Sequence, residues 1–398
     1  MVGSAVQSSS YDVIVVGLGA MGAAATWQLA LTGARTLGID RFHPPHVLGS
    51  THGDTRITRL AIGEGSPYVP LVQRSHELWR SIEAQTGESL LRVTGGLIVG
   101  SPKASADDAL GFQQSTVAVA QEFGIAHEEL CSADLGRRFP QFGFTGAEAG
   151  YFEPSAGYLR PEAAVATQLQ LARREGAELR TDERVLAYEP FADHVRVTTD
   201  QGSYLAGTLV LAAGPWLSEF LPAHREQFRV FRQVLYWFDL NDPGTYELYH
   251  QMPVFIWEVG GSRGLGFYGF PAIDGPRGGL KVATEQYVDD TSPDQPQPPV
   301  TDAEIAAMHR RLVADRLPGL SSRCVRAVSC FYTVTPDHGF VIDRHPEHDN
   351  VIIASPCSGH GFKHSAAIGE IVAQQAVRGS SDLDITHFAL DRLLGDLS

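Results

Sequence analysis

Residues 11–40 read YDVIVVGLGAMGAAATWQLALTGARTLGID, and the order of residue types in this stretch decides the fold. Residues 11–16 are β-branched and almost wholly apolar, the pattern of a strand buried on both faces of a parallel sheet. Gly17, Gly19 and Gly22 follow as G-x-G-x-x-G. An alanine-rich segment then predicts a helix to about Leu31, ended at Gly33, and a second strand finishing on Asp40. The three glycines serve different physical ends. The first permits a tight turn, the second lets backbone approach a pyrophosphate, and the third lets helix and strand pack closely. The helix N-terminus faces the phosphates. Asp40, 23 residues after Gly17, can accept hydrogen bonds from an adenosine ribose.

Working outward, two further pieces of such a layer recur. One ends in the apolar run TLVLAAG, closed by Gly214; the other, residues 339–377, reads as strand, turn, strand, glycine-bearing loop and apolar helix. Residues 101–135 and 300–320 look helical, residues 225–290 look like an antiparallel sheet rich in aromatics, and residues 289–302 form a polar, proline-rich connection. This spread predicts an α/β fold: a Rossmann-like dinucleotide domain, discontinuous in sequence, from residues 1–90, 150–225 and 325–398. A second, α+β lobe with a mixed or antiparallel sheet would come from residues 91–149 and 226–324 and carry the substrate.

The 398 residues exceed one small core. A formal net charge of −15 without a basic run argues against nucleic acid or anionic membrane as a partner. No apolar stretch reaches the roughly 20 residues of a membrane span. The first residues, MVGSAVQSSS, lack the basic start and apolar core of a signal peptide, so the expectation is a soluble cytoplasmic protein. Cys131, Cys324, Cys330 and Cys357 show no CxxC spacing and read as thiols.

NAD and FAD share the glycine fingerprint. The segment SPCSGHGFKHSAAIGEIV supplies a second glycine-rich helix start, able to stabilise negative charge on the pyrimidine edge of a reduced flavin, and this favours FAD. His345 with His348, and His360 with His364, have ligand-like spacing, but a zinc site needs more converging groups, and these histidines fall in loops and a helix start that flavin binding accounts for. No metal is expected.

Along nearly its whole length the chain resembles the monomeric sarcosine oxidase and N-methyltryptophan oxidase family of flavin amine oxidases. The resemblance is carried by YDVIVVGLGAMG, PPHVLGSTHGDTRITRLAIGEGSPYVPL, GGLK at 278–281, CFYTVTPDHGFVIDRHPEHDNVIIA and SGHGFK. It implies FAD held covalently through the sulfur matching Cys330, with Cys357 the rival thiol. It implies cofactor contacts from Arg41, Ser50, Thr51, His52, Arg56, Gly359, Gly361, Phe362 and Lys363, beside Gly17, Gly19, Gly22 and Asp40. His52 and Arg56 would flank the ring, and Arg59 would face the substrate. Arg59, by its planar fork, and Lys363, as a point charge, would hold a carboxylate. Lys281 would promote reaction with oxygen, while Tyr268 and Tyr332 would wall the substrate cavity.

The implied activity is oxidation of a secondary amino acid: hydride transfer from the carbon next to nitrogen to FAD, O2 reduced to hydrogen peroxide, and imine hydrolysis releasing formaldehyde from an N-methyl group. The implied partners are a small amino acid and O2, acting on a monomer. Two departures fall on substrate-facing structure. Glu285 stands where the best-known members carry histidine, and the loop before Lys281 is slightly longer than usual. Sarcosine, a larger N-methyl amino acid, a cyclic imino acid such as pipecolate or proline, and a specialised biosynthetic amine all remain open. Rival readings are a flavin dehydrogenase that ignores oxygen, a nicotinamide dehydrogenase and a nucleotide-binding module without catalysis.

Overall fold

The computed structural model describes residues 10–100, 111–259 and 266–394. The strand Ser10–Val16 lies inside an eight-stranded sheet, parallel to Thr36–Ile39 on one side and to Ser203–Leu211 on the other. Its alternation divides two cores. Val13 and Val15 join Ile368 and Ile371 of the helix Ser365–Arg378, whereas Ile14 and Val16 join Leu37, Val197 and Leu217. Both faces are covered, as its apolar run requires. Glu178–Arg180 extends the sheet beyond Thr36–Ile39; His348–Ser355 adds in parallel to Ser203–Leu211, and Val341–His345 returns beside it.

The helix Ala20–Leu31 is buried on nearly every side, which its alanines allow. It packs so closely on Ser365–Arg378 that a Cβ at Gly369 would stand 2.4 Å from that of Ala24. At its start, Gly17 has a φ of +90° and lies against Ala212, and a Cβ at Gly22 would fall 1.7 Å from the carbonyl oxygen of Gly17. A Cβ at Gly19 would meet nothing nearer than Thr51 Oγ1, at 3.6 Å. The first and third glycines are therefore consumed by packing, and the second faces open space.

A second eight-stranded sheet runs in the order Leu320–Val334, Arg229–Leu240, Leu280–Thr284, Gly266–Gly269, Val254–Glu258, Gly96–Gly100, Ala149–Glu153 and Glu128–Leu130. Its pairs are antiparallel except Val254–Glu258 with Gly96–Gly100. Phe142, Phe152, Phe238, Phe255, Trp257 and Phe267 dominate its core. Residues 150–153 and 325–334, assigned by sequence to the nucleotide layer, pair within this second sheet, because long strands run on past the sites where their motifs suggest a boundary. Residues 111–135 are interrupted by strand Glu128–Leu130 between helices Phe112–Glu122 and Ser132–Arg138, and residues 101–110 lie outside the described residues. In 300–320 the helix is only Asp302–Met308, capped by Thr301 and Glu304, followed by a wider turn, His309–Val313.

A small sheet of Arg56–Thr58, Gly157–Leu159 and Leu91–Val93 supports the polar stretch that follows Asp40. Among the described residues no helix is long and apolar enough to cross a membrane.

Candidate active site

Eleven residues, GSTHGDTRITR at 49–59, concentrate charge in a segment with little regular structure, and remote carboxylates hold it. Glu162, in the first turn of the helix Pro161–Arg174, accepts hydrogen bonds from the amides of Gly53 (2.6 Å) and Asp54 (3.1 Å). Glu153, fully buried, accepts from the amides of Leu60 (2.7 Å) and Ala61 (3.1 Å), from Tyr151 Oη and from Ser155 Oγ. Lys281 Nζ donates to the carbonyls of Gly53 (2.6 Å) and Thr55 (2.8 Å) and to Thr55 Oγ1. Arg56 donates to the Ser50 and Thr55 carbonyls, and Arg326 pairs with Asp54. Buried backbone groups in irregular chain need such partners.

One continuous cavity of about 1130 Å³ is lined by Gly17, Gly19, Asp40, Arg41, Ser50, Thr51, Arg56 and Arg59, and equally by Tyr268, Tyr332, Gly359, Gly361, Phe362 and Lys363. The structure thus brings most of the sequence-derived residues to one space. Asp40 accepts from the amides of Leu18 (2.7 Å) and Phe42 (2.8 Å), so it also locks the turn. Arg41 pairs with Asp294 at 3.0 Å and lies over Trp216. The helix Ala20–Leu31 begins with no side-chain cap and no acid in its first turn, which leaves its amides open to an anion. Ser50 Oγ is buried without a hydrogen-bond partner. Open room at Gly19, free amides and an orphaned hydroxyl suit a dinucleotide pyrophosphate.

Besides Gly22, which packs on the Gly17 carbonyl, three residues expected at the cavity do not border it. Lys281 is buried beneath the 53–55 loop with its donors taken, and burial, then the Arg56 charge, holds its ammonium pKa well below the usual lysine range. Cys330 is buried with Leu235, Trp237 and Ala283, while the rival Cys357 borders the cavity; burial raises both thiols. His52 is buried with Nε2 unpartnered, and burial, then Arg56, lowers its pKa to about 4. In each case a strand or loop position fixed the residue's neighbourhood but not the direction of its side chain.

The cation pair is where the structure adds most. Arg59 is buried and donates to the carbonyl of Ala61 (2.8 Å) and to Glu64 Oε2 (2.8 Å), leaving Nε without a partner. Lys363 Nζ lies 3.9 Å from Glu64 Oε1 and donates to the His360 carbonyl at 2.8 Å. Burial works to raise the Glu64 carboxyl, yet Arg59, Lys363 and His360 hold it well below the ordinary carboxylate range. Burial lowers Lys363 to about 8. Arg59 and Lys363 therefore already share a carboxylate of the chain's own. Glu64 itself was missed; its signal was a single acid in the glycine-rich, apolar run LAIGEG.

Tyr268 and Tyr332 hydroxyls stand 3.2 Å apart on neighbouring walls, and burial raises both pKa values. Glu285 also borders the cavity, with Tyr287 donating to it at 2.8 Å. Of the histidines weighed for metal, His360 lines the cavity. His345 and His348 sit in a separate hairpin turn with Glu347, their ligand atoms all within 4.8 Å, so flavin binding does not account for them.

The model of the family described as FAD dependent oxidoreductase matches residues 12–375. The chain is 41% identical to monomeric sarcosine oxidase of Streptomyces avermitilis, over 97% of this chain and 98% of that one. It is 35% identical to N-methyl-L-tryptophan oxidase of Yersinia pestis, over 96% and 99%. Among solved structures it is similar to NikD, an unusual amino acid oxidase essential for nikkomycin biosynthesis, with a TM-score of 0.81, 26% identity and coverage of 96% and 98%. L-proline dehydrogenase from P. horikoshii shares the fold, with a TM-score of 0.79 at 20% identity over 96% and 97% of the two chains. A glycine turn open to a pyrophosphate, a cavity continuous with a buried cation pair, and relatives matching from end to end agree: the chain belongs to the FAD-dependent oxidoreductases, in the group of the monomeric sarcosine and N-methyltryptophan oxidases.

Proposed function

We propose that this enzyme oxidises secondary amino acids, foremost N-methyl amino acids, using FAD and O2. One observation carries the reading: Arg59 and Lys363 face each other across a carboxylate, Glu64, in the same cavity that begins at the glycine turn. FAD, when bound, supplies a hydride acceptor for the carbon next to nitrogen and a donor of electrons to O2. The chain's own residues do the rest. Arg59 and Lys363 exchange Glu64 for the substrate carboxylate, a charge-assisted contact that fixes position. Tyr268 and Tyr332 close the wall around the amine. The helix start at Ala20 and the orphaned Ser50 hydroxyl receive the pyrophosphate, and Arg41 the region beyond it.

Lys281 braces the loop that carries Arg56, and its cationic form beside the site would favour the reaction with O2. Replacement by Met should slow reoxidation by O2 more than anaerobic reduction. Equal slowing of both would reduce Lys281 to a brace. Peroxide formed per turnover separates an oxidase from a dehydrogenase.

Cys330 is proposed as the point of covalent attachment, on its match in SCFYT and its place close to Arg56. Cys357 is the second reading, because it borders the cavity. Acid precipitation of C330A and C357A decides: the variant that releases its yellow colour names the tether. For the activity, an anaerobic screen of N-methyl and cyclic amino acids, read as flavin bleaching, is expected to give the fastest bleaching with an N-methyl amino acid. Faster bleaching by proline or pipecolate would move the assignment to cyclic imino acids.

A further inference from the structure

Glu285 follows the strand Leu280–Thr284 and borders the cavity close to the cation pair, yet among the described residues no cation pairs with it at close range. Its hydrogen bond there comes from Tyr287 Oη, to Oε2, at 2.8 Å. The other oxygen turns towards Gly359: a Cβ there would lie 3.1 Å from Glu285 Oε1, 3.2 Å from Tyr287 Oη and 3.0 Å from Tyr332 Cε2. Two tyrosines and a carboxylate thus converge beside the segment that ends in Lys363. Lys363 and Arg59 act on Glu285 electrostatically across the cavity, and so does Glu64.

The charges of this set have a consequence. Arg59 and Lys363 are two cations, and Glu64 and Glu285 two carboxylates. With all four ionised the set is neutral, and an amino acid zwitterion leaves it neutral. Oxidation next to nitrogen needs the nitrogen lone pair, yet a secondary amine is protonated in neutral water. A base within reach of the bound amine can take that proton. Moving it onto Glu285 again leaves the set neutral.

We propose that Glu285 receives the ammonium of the bound amino acid and takes its proton, with Tyr287 holding the carboxylate, so that the substrate enters as a zwitterion and is oxidised as the neutral amine. In that step an N–H bond breaks and an O–H bond forms; the electron pair returns to nitrogen and no oxidant is involved. Burial, reinforced by Glu64, raises the Glu285 carboxyl, the direction that strengthens it as a proton acceptor, while Tyr287, Lys363 and Arg59 oppose the rise. Also near this point are Tyr268, Tyr332 and Cys357, all pushed upward by burial, His338, edge-on against Tyr287, and His360, lowered to about 4 by burial and lying beside Glu64. This rests on the reading of the site as an amino acid oxidase.

The test is the pH profile of anaerobic flavin reduction by an N-methyl amino acid, with E285Q and Y287F beside the unaltered enzyme. The unaltered enzyme should show an acid limb set by Glu285 and a plateau above it. Y287F, having lost the bond that favours the carboxylate form, should move that limb to higher pH. E285Q should lose the limb, fall by about 10²–10⁴-fold at pH 7, and regain rate with pH as free amine becomes available in solution. Methylthioacetate, a carboxylate whose sulfur carries no proton, should bind E285Q as it binds the unaltered enzyme, followed by the shift in the flavin spectrum. An unchanged profile in E285Q overturns the inference, and so does loss of methylthioacetate affinity in step with the rate, which would mark a structural role. If no amino acid bleaches the unaltered enzyme, the oxidase reading falls and this inference with it, an outcome distinct from the other two.

Discussion

The glycine turn at 17–22 and the loop at 49–64 both shape the same cavity, but they are held in different ways. The turn is fixed by a contact within itself and by the ends of the two strands beside it: Gly22 against Gly17, Gly17 against Ala212, and Asp40 on the Leu18 amide. The loop is held by Glu153, Glu162 and Lys281, which lie about 90 to 230 residues away along the chain. A motif made by shape survives as a pattern of residue types, whereas one made by remote charge leaves only a local excess of polar residues.

Four measurements test this contrast, and the largest effect is expected at the turn. Gly22→Val places side-chain atoms where only 1.7 Å separates a Cβ from the Gly17 carbonyl. The variant should lose about 1–3 kcal/mol or more of stability and be isolated without bound flavin, read from its absorbance. Full flavin content would show that the turn tolerates what its geometry forbids.

Next comes the loop's own cation. Arg59→Met removes the planar fork and leaves Glu64 short of a partner, an effect of about 2–5 kcal/mol. It should appear as a loss of kcat/KM with flavin content intact. A parallel loss of flavin would mean that the loop and the turn are not separable.

A smaller effect is expected from Glu153→Gln, which turns an acceptor of four hydrogen bonds into a group with a misplaced amide. Denaturant midpoints should fall by the equivalent of about 1–3 kcal/mol, and carboxylate affinity should weaken because the 59–61 segment loosens. Unaltered affinity would show that Arg59 is placed without Glu153.

The mildest test is pH. Burial puts the Lys363 pKa at about 8 in the folded chain against 10.5 for a free lysine. Between these values the unfolded chain holds the extra proton, so this group's destabilising contribution, full below pH 8, is relieved as pH rises towards 10.5. Binding runs the other way: the ammonium is lost as pH passes through 8, and affinity for a carboxylate ligand should drop by about tenfold, the worth of one charge-assisted hydrogen bond. Arg59 still offers its planar fork, so binding should not vanish. Flat affinity from pH 7 to 9.5 would remove Lys363 from the clamp.

The contrast also explains which site residues could be read in advance. Arg59 and Lys363 were legible through the family resemblance carried by the HGDTR block and SGHGFK, since by residue type alone each would read as an ordinary ion pair. Glu64 was not, since its importance comes from standing between those two cations. Tyr268 and Tyr332 could be named but not placed face to face at 3.2 Å. Lys281 and Cys330 were legible as residues, but not how their side chains are covered. On the strands Leu280–Thr284 and Leu320–Val334 these side chains share the faces of Ala283 and Tyr332, with Lys281 covered by the 53–55 loop and Cys330 packed on Leu235, Trp237 and Ala283, a covering that no local pattern of residues encodes.

What the sequence determined by itself was the nucleotide turn, the strand and helix around it, the interrupted return of that layer along the chain and the family. The turn and its layer rest on short-range sterics and apolar periodicity, which neighbouring residues carry between them, and the family on resemblance across several longer motifs. What only the tertiary structure decided was the second sheet's reach into residues 325–334, the remote carboxylates that hold the 49–64 loop, and the meeting of Arg59, Glu64, Lys363 and Glu285. These depend on electrostatic and hydrogen-bond partners far apart in the chain, brought together only when the two sheets close on one cavity.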